Sequence, residues 1–114
     1  MKRNKYNNRH IKRGELTFDS EAEAKRYVRL KAYEDAGHIS ELEVHPRFQL
    51  LPAFTDRTGK RQRAIVYEAD FSYLQDGVRV VEDVKGKETE AFKLKQKFFL
   101  AQYPDLDLRI IAAR

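Results

Sequence analysis

The sequence predicts an α/β domain whose elements run helix, strands, hairpin, helix, strand. Three observations carry that prediction. Residues 65–74 and 78–85, dense in Val, Ile, Tyr and Phe, flank Asp76-Gly77, a dipeptide that favours a two-residue hairpin turn. Asp19-Ser20 opens a run of good helix formers over 21–36, and Gly37 closes it. A second helical pattern over 89–103 is stopped by Pro104-Asp105 and followed by a final strand, 106–113, that reads as buried around Ile110-Ile111.

Taken in order, residues 1–13 form a basic arm holding Lys2, Arg3, Lys5, Arg9, Lys12 and Arg13 and no acid. The net charge of +5 rides on this arm, since the rest of the chain is close to neutral. Polar and rich in Asn and Lys, it is expected to be flexible without a partner. It reads as an electrostatic handle for a polyanion, nucleic acid being the commonest, with a solubilising tail as the plain alternative. The folded domain spans 14–114, and packing is expected to start near Thr17. Residues 39–51 alternate in part, through Leu42, Val44, Phe48 and Leu50, and are broken by Pro46, which marks an edge strand or a bend. Residues 55–63 hold Thr58-Gly59 with Arg57, Lys60, Arg61 and Arg63 and read as an exposed loop within reach of a phosphate backbone. On the second helix Leu94, Phe98 and Ala101 recur at helical spacing with Phe99 beside them, while Lys93, Lys95 and Lys97 occupy the rest of the wheel.

Composition narrows the chemistry. At 114 residues the chain has room for one domain and no separate recognition module. Without cysteine there is neither a disulfide framework nor a thiolate metal site, and His10, His38 and His45 are scattered without ligand spacing, so a bound metal is expected to be held by oxygen. No apolar run approaches the roughly 20 residues of a membrane span, and no signal-peptide pattern follows the basic N-terminus, so a cytoplasmic protein without membrane contact is expected.

The chemistry concentrates in the hairpin. If Asp76-Gly77 is the turn, Gln75 faces Val78, and the ladder sets Asp70 opposite Asp83. Asp83 and Lys85 then share a face with Asp70, Glu82 points the other way, and Glu68 is expected opposite Lys85, with Ser72 opposite Val81. Like charges directly opposed destabilise a sheet unless a cation lies between them, and carboxylates suit Mg²⁺ or Mn²⁺. The alternative is a cross-strand salt-bridge network. Glu23 falls at i, i+4, i+7 with Tyr27 and Leu30 and so faces the sheet, or else bonds back to the backbone as the partner of Ser20 in a capping box. Phosphodiester hydrolysis needs a cation that neutralises a phosphate oxygen and acidifies water, and an amine such as Lys85 to hold that water and offset developing charge.

The pattern Glu23, Asp70, Asp83-x-Lys85 resembles that of the PD-(D/E)xK nuclease superfamily. Four strings in this order and spacing are similar, more narrowly, to the junction-resolving endonuclease I family of phages and prophages: Ser20-Glu-Ala-Glu23, Tyr67-Glu-Ala-Asp-Phe71, Val81-Glu-Asp-Val-Lys-Gly86 and Tyr103-Pro-Asp-Leu-Asp-Leu-Arg-Ile-Ile111. The similarity covers roughly residues 17–111. It implies a restriction-endonuclease-like core, αβββαβ, with a mixed central sheet flanked by helices. It also implies Mg²⁺ or Mn²⁺ as cofactor and hydrolysis of branched or four-way DNA by a homodimer in the cytoplasm of a bacterial host. Carried over by motif, the catalytic set is Glu23, Asp70, Asp83 and Lys85, with Glu23, Asp70 and Asp83 as metal ligands. Ala69 stands where the superfamily has proline, and Asp83 is one methylene shorter than the glutamate of the endonuclease I motif. Lys93 and Lys95 are assigned to DNA phosphates or, equally, to a solvated helix face, alongside Lys60, Arg61 and the arm. A nicking or restriction-like nuclease with some sequence preference, and a non-catalytic DNA-binding protein, remain as alternatives.

Overall fold

A computed structural model of the chain describes residues 11–13 and 16–113. Lys2, Arg3, Lys5 and Arg9 of the predicted arm lie outside the described residues, as do the side chains of Lys12 and Arg13. The backbone of Ile11–Arg13 forms β1, although the sequence places it in the arm, because it finds an antiparallel partner in β2 (Leu16–Phe18), Ile11 facing Phe18. Phe18 is fully buried and begins the core.

The first helix, α1 (Glu21–Asp35), starts where Ser20 caps it, the hydroxyl accepting the Glu23 N–H at 3.1 Å. It ends in a Schellman motif: the His38 N–H reaches Tyr33 O, the Gly37 N–H reaches Glu34 O, and Gly37 adopts the left-handed φ of 81°. Seven strands follow: β3 (Ser40–Val44), β4 (Arg47–Leu51), β5 (Phe54–Thr55), β6 (Arg61–Gln62), β7 (Ile65–Glu68), β8 (Phe71–Gln75) and β9 (Val78–Lys85). Then come α2 (Glu90–Gln102), capped by Thr89, and β10 (Asp107–Ala112). The expected loop over 55–63 is a short hairpin, β5 against β6, closed by Asp56, whose carboxylate accepts from Thr58, Lys60 and Gln62.

The central sheet has the order β10-β9-β8-β3. Its β8–β9 hairpin turns on Asp76 and Gly77, both at positive φ (51° and 79°), as a type I′ turn demands, and Gln75 faces Val78 as the sequence predicts. β10 lies parallel to β9, which requires the crossover that α2 supplies. The sheet is therefore mixed, and the domain α/β. Among the described residues no helix is long and apolar enough to cross a membrane.

Two long strands bend at the same rung. The stretch over 65–74, continuous by sequence pattern, breaks at Ala69-Asp70 into β7 and β8, and its partner breaks at His45-Pro46 into β3 and β4. Pairing survives the bend: Val44 faces Phe71, His45 N–H donates to Asp70 O (2.9 Å), Ala69 N–H to Pro46 O (3.0 Å), and Arg47 faces Glu68. What changes is the face. Before the bend Leu42 and Val44 pack with Phe71 and Tyr73 in the core under α1; beyond it Phe48 and Leu50 pack with Tyr67 and Ala69 in the core under α2. Two apolar cores thus cover opposite faces of one sheet, and the polar residues gather at the seam between them.

The core-facing side of α2 is not the one its apolar spacing predicts. Phe92 and Phe99 are buried, and Phe99 stacks among Phe48, Tyr67 and Tyr103, whereas Leu94 (57 % exposed), Phe98 (46 %) and Ala101 face outward. The wheel carries two apolar arcs, and the one that completes an aromatic cluster buries more area.

Candidate metal centre at the bend of the sheet

Glu23 projects from the first turn of α1 into the seam, only 4 % exposed. Half of the expected capping box forms, through Ser20, while the Glu23 carboxylate meets His45, Oε1 to Nε2 at 2.7 Å. His45 is placed by the bend itself, at a left-handed φ of 56° that non-glycine residues rarely adopt. Asp70 lies on the same rung. Its N–H donates to Glu82 O (3.0 Å), its carbonyl accepts from His45, and its Oδ2 accepts the Val84 N–H at 2.7 Å, which leaves the other carboxylate oxygen free of the ladder. One donor atom from each of Glu23, His45 and Asp70 lies within 4.8 Å of the other two.

Electrostatics mark the spot. Burial first, and then the carboxylates of Asp83 and Glu23, push the Asp70 carboxyl up to about 8, against the opposing Val84 hydrogen bond. Burial also raises Glu23, partly offset by His45. Burial and neighbouring acids favour the neutral form of Asp70, and carboxyls perturbed in this way cluster at functional sites.

Asp83, 2 % exposed, lies against this cluster, its carboxylate within hydrogen-bond reach of Asp70, while its Oδ2 accepts the Tyr67 hydroxyl and its Oδ1 is 3.4 Å from Lys85 Nζ. Burial and Asp83 together raise the Tyr67 phenol. Lys85 Nζ also stands 4.6 Å above the Phe92 ring, so an aromatic face and one carboxylate oxygen hold the ammonium at the rim. On the opposite face Glu82, fully buried, is neutralised by both arms of Arg26 (2.7 and 2.6 Å) and by the Tyr73 hydroxyl, as a buried carboxylate requires. Burial and Glu82 push Tyr73 up to about 12.

A family model described as "Protein of unknown function (DUF1064)" matches residues 3–114. The chain belongs to the DUF1064 family. No curated protein and no solved structure matches it.

In this DUF1064 chain Glu23 and Asp70 come together, Asp83 adjoins them and Lys85 joins Asp83. One expectation needs correction. Glu68 does not oppose Lys85: the β8–β9 ladder ends at Phe71–Glu82, the bend carries β7 away, and exposed Glu68 pairs with Arg47 at 3.5 Å. The group of side chains close enough to hold a metal ion includes His45 Nε2 beside the two carboxylates. His45 has no ligand spacing along the chain; it is found by pairing 39–51 with 65–74, where the Pro46 break meets Asp70. Of the other basic residues singled out, Lys60 and Arg61 are exposed on the β5–β6 hairpin. Lys93 pairs with Glu90 (3.6 Å), and Lys95 donates to Val66 O (3.3 Å), so neither is wholly uncommitted on the DUF1064 surface.

Proposed function

We propose that this chain is a divalent-cation-dependent DNA endonuclease acting on branched or four-way DNA. The observation that carries the reading is the convergence of Glu23, His45 and Asp70 within 4.8 Å, beside the Asp83–Lys85 pair. The succession α1, bent β3–β4, bent β7–β8, β9, α2, β10 supports the restriction-endonuclease-like αβββαβ core that the sequence resemblance implies.

The residues present fit a cation. Two carboxylates with raised pKa values supply hard oxygen donors, and one imidazole nitrogen favours Mn²⁺ over Mg²⁺ relative to an all-oxygen set. Glu23, His45 and Asp70 would hold it, with Asp83 adjoining. When bound, such an ion polarises a phosphodiester oxygen and lowers the pKa of water. The chain's own groups do the rest. Lys85, with its ammonium anchored on Asp83 and Phe92, orients the attacking water by a hydrogen bond and offsets the negative charge that grows on the phosphate. Tyr67 fixes the Asp83 rotamer from below, so Lys85 is held by a carboxylate that cannot swing. A domain of this size devoted to this site has little surface left for reading base edges, which favours recognition of DNA shape.

The test offers a synthetic four-way junction, a linear duplex and single-stranded DNA to the protein, with Mg²⁺, with Mn²⁺ and with chelator. The expected outcome is cleavage of the junction alone, abolished by chelator. Binding without cleavage under every condition would replace this reading with a DNA-binding protein. Lys85→Ala should keep the fold and junction affinity and lose at least about 100-fold in cleavage rate, the low end of what a positioned acid–base or charge-stabilising group contributes.

A further inference from the structure

A cleft of about 320 Å³ opens between α1 and the adjacent ends of β9 and β10. Its wall is basic, made by Lys25, Arg26 and Arg29, and its floor is apolar, made by Val84, Ile111 and Ala112. Arg26 is neutralised by Glu82. Lys25 and Arg29 are exposed, and among the described residues neither takes part in an ion pair or a side-chain hydrogen bond. Among the described residues no acid lines the cleft. A sugar ring on the floor with its phosphate against the two free cations matches both the shape and the charge, as backbone contacts to nucleic acid do.

The position of the cleft matters as much as its chemistry. Ala22, on its lining, directly precedes Glu23, and Val84 lies between Asp83 and Lys85 and gives its N–H to Asp70. The cleft and the candidate metal centre therefore share the first turn of α1 and the end of β9. The alternation of β9 turns Val84 to the face opposite Asp83 and Lys85, so the cleft adjoins the centre around the end of β9 and the first turn of α1.

We propose that this cleft is a strand-holding subsite, which binds one sugar-phosphate unit of DNA flanking the bond to be cut; its place beside a scissile bond rests on the endonuclease reading. Lys25 and Arg29 bind the phosphate, and the β9–β10 floor takes the sugar.

The experiment measures fluorescence anisotropy of a short labelled single-stranded DNA in EDTA over a salt series. Lys25→Ala/Arg29→Ala should weaken binding and lower the slope of log affinity against log salt by roughly 1.4, about 0.7 for each cation removed from a phosphate. Ala22→Leu keeps charge and helix propensity while filling the cleft, and should also weaken binding, by roughly tenfold. Ala112→Leu reaches the same space from β10 and serves if Ala22→Leu melts early. Wild-type affinity in both cleft-filling variants, or an unchanged salt slope in the double variant, would overturn the proposal. Because the assay contains EDTA, it decides the cleft independently of cleavage: an uncut junction sinks the endonuclease reading alone, whereas unaltered binding in these variants sinks the subsite alone.

Discussion

Asp70 ties three strands together at one rung while holding a carboxyl that burial and two neighbouring acids push up to about 8. Its ordinary value is 3.8, so the folded chain binds a proton that the unfolded chain has released between those limits. Metal-free stability contributed by this group is therefore complete below about pH 4 and is lost as pH rises towards 8. The expected result is a metal-free Tm that falls by several degrees between pH 6 and pH 8.5, roughly 4–8 °C for each kcal/mol in a domain near this size. Asp70→Asn should flatten that fall, since an amide keeps an acceptor for the Val84 N–H without the charge. Mn²⁺ at about 100 times its Kd should restore about 2.7 kcal/mol to the wild type and little to Asp70→Asn. A wild-type Tm that holds or rises with pH in EDTA would contradict this. Asp70, Asp83 and Lys85 are legible in the sequence because a two-residue turn and the period of two place them without reference to distant chain. His45 is not, because its neighbours in space belong to another strand and to α1. Ala69, where proline stands in the resembling superfamily, donates its N–H across the bend to Pro46, a bond proline lacks.

Among the elements, α2 and the β8–β9 hairpin make opposite cases. The hairpin turn is written in two residues, and Gly77→Ala, forcing a side chain into a φ of 79°, should cost about 1–2 kcal/mol in a urea titration. The existence and ends of α2 are equally plain, from Thr89 to the Tyr103-Pro104 stop. Its orientation is not: Leu94, Phe98 and Ala101 make the more regular stripe, yet Phe92 and Phe99 meet the sheet. Periodicity reports that a helix is amphipathic; which arc faces inward depends on the Phe48–Tyr67 surface waiting for it. Phe99→Ala should accordingly cost about 3–5 kcal/mol, and Phe98→Ala should fall within about 0.5 kcal/mol of wild type. Equal effects, read from denaturant midpoints, would mean that the helix is docked the other way round.

For the molecule as a whole, the α/β class was readable from local signals, because both helices and the β8–β9 hairpin announce themselves within ten or fifteen residues, whereas β1, β5 and β6 fall in segments that read as arm and loop. The arrangement that assembles the candidate site was not, because it depends on two strands bending together and exchanging faces between two cores. The proposed role of the basic N-terminal stretch belongs to this level too. Removing residues 1–9, and so Lys2, Arg3, Lys5 and Arg9 but not the pairing strand β1, should leave Tm unchanged and weaken duplex binding, with the salt slope falling by about 0.9 for each phosphate no longer neutralised. An unaltered slope would assign the stretch to solubility. The Val84 amide, meanwhile, hangs on a carboxylate oxygen of Asp70 in the middle of the sheet. Ionisation of that acid or arrival of the proposed cation would repolarise the N–H directly, so its resonance in an isotope-labelled sample would be a built-in gauge, able to report occupancy without any cleavage and with no nucleic acid in the tube.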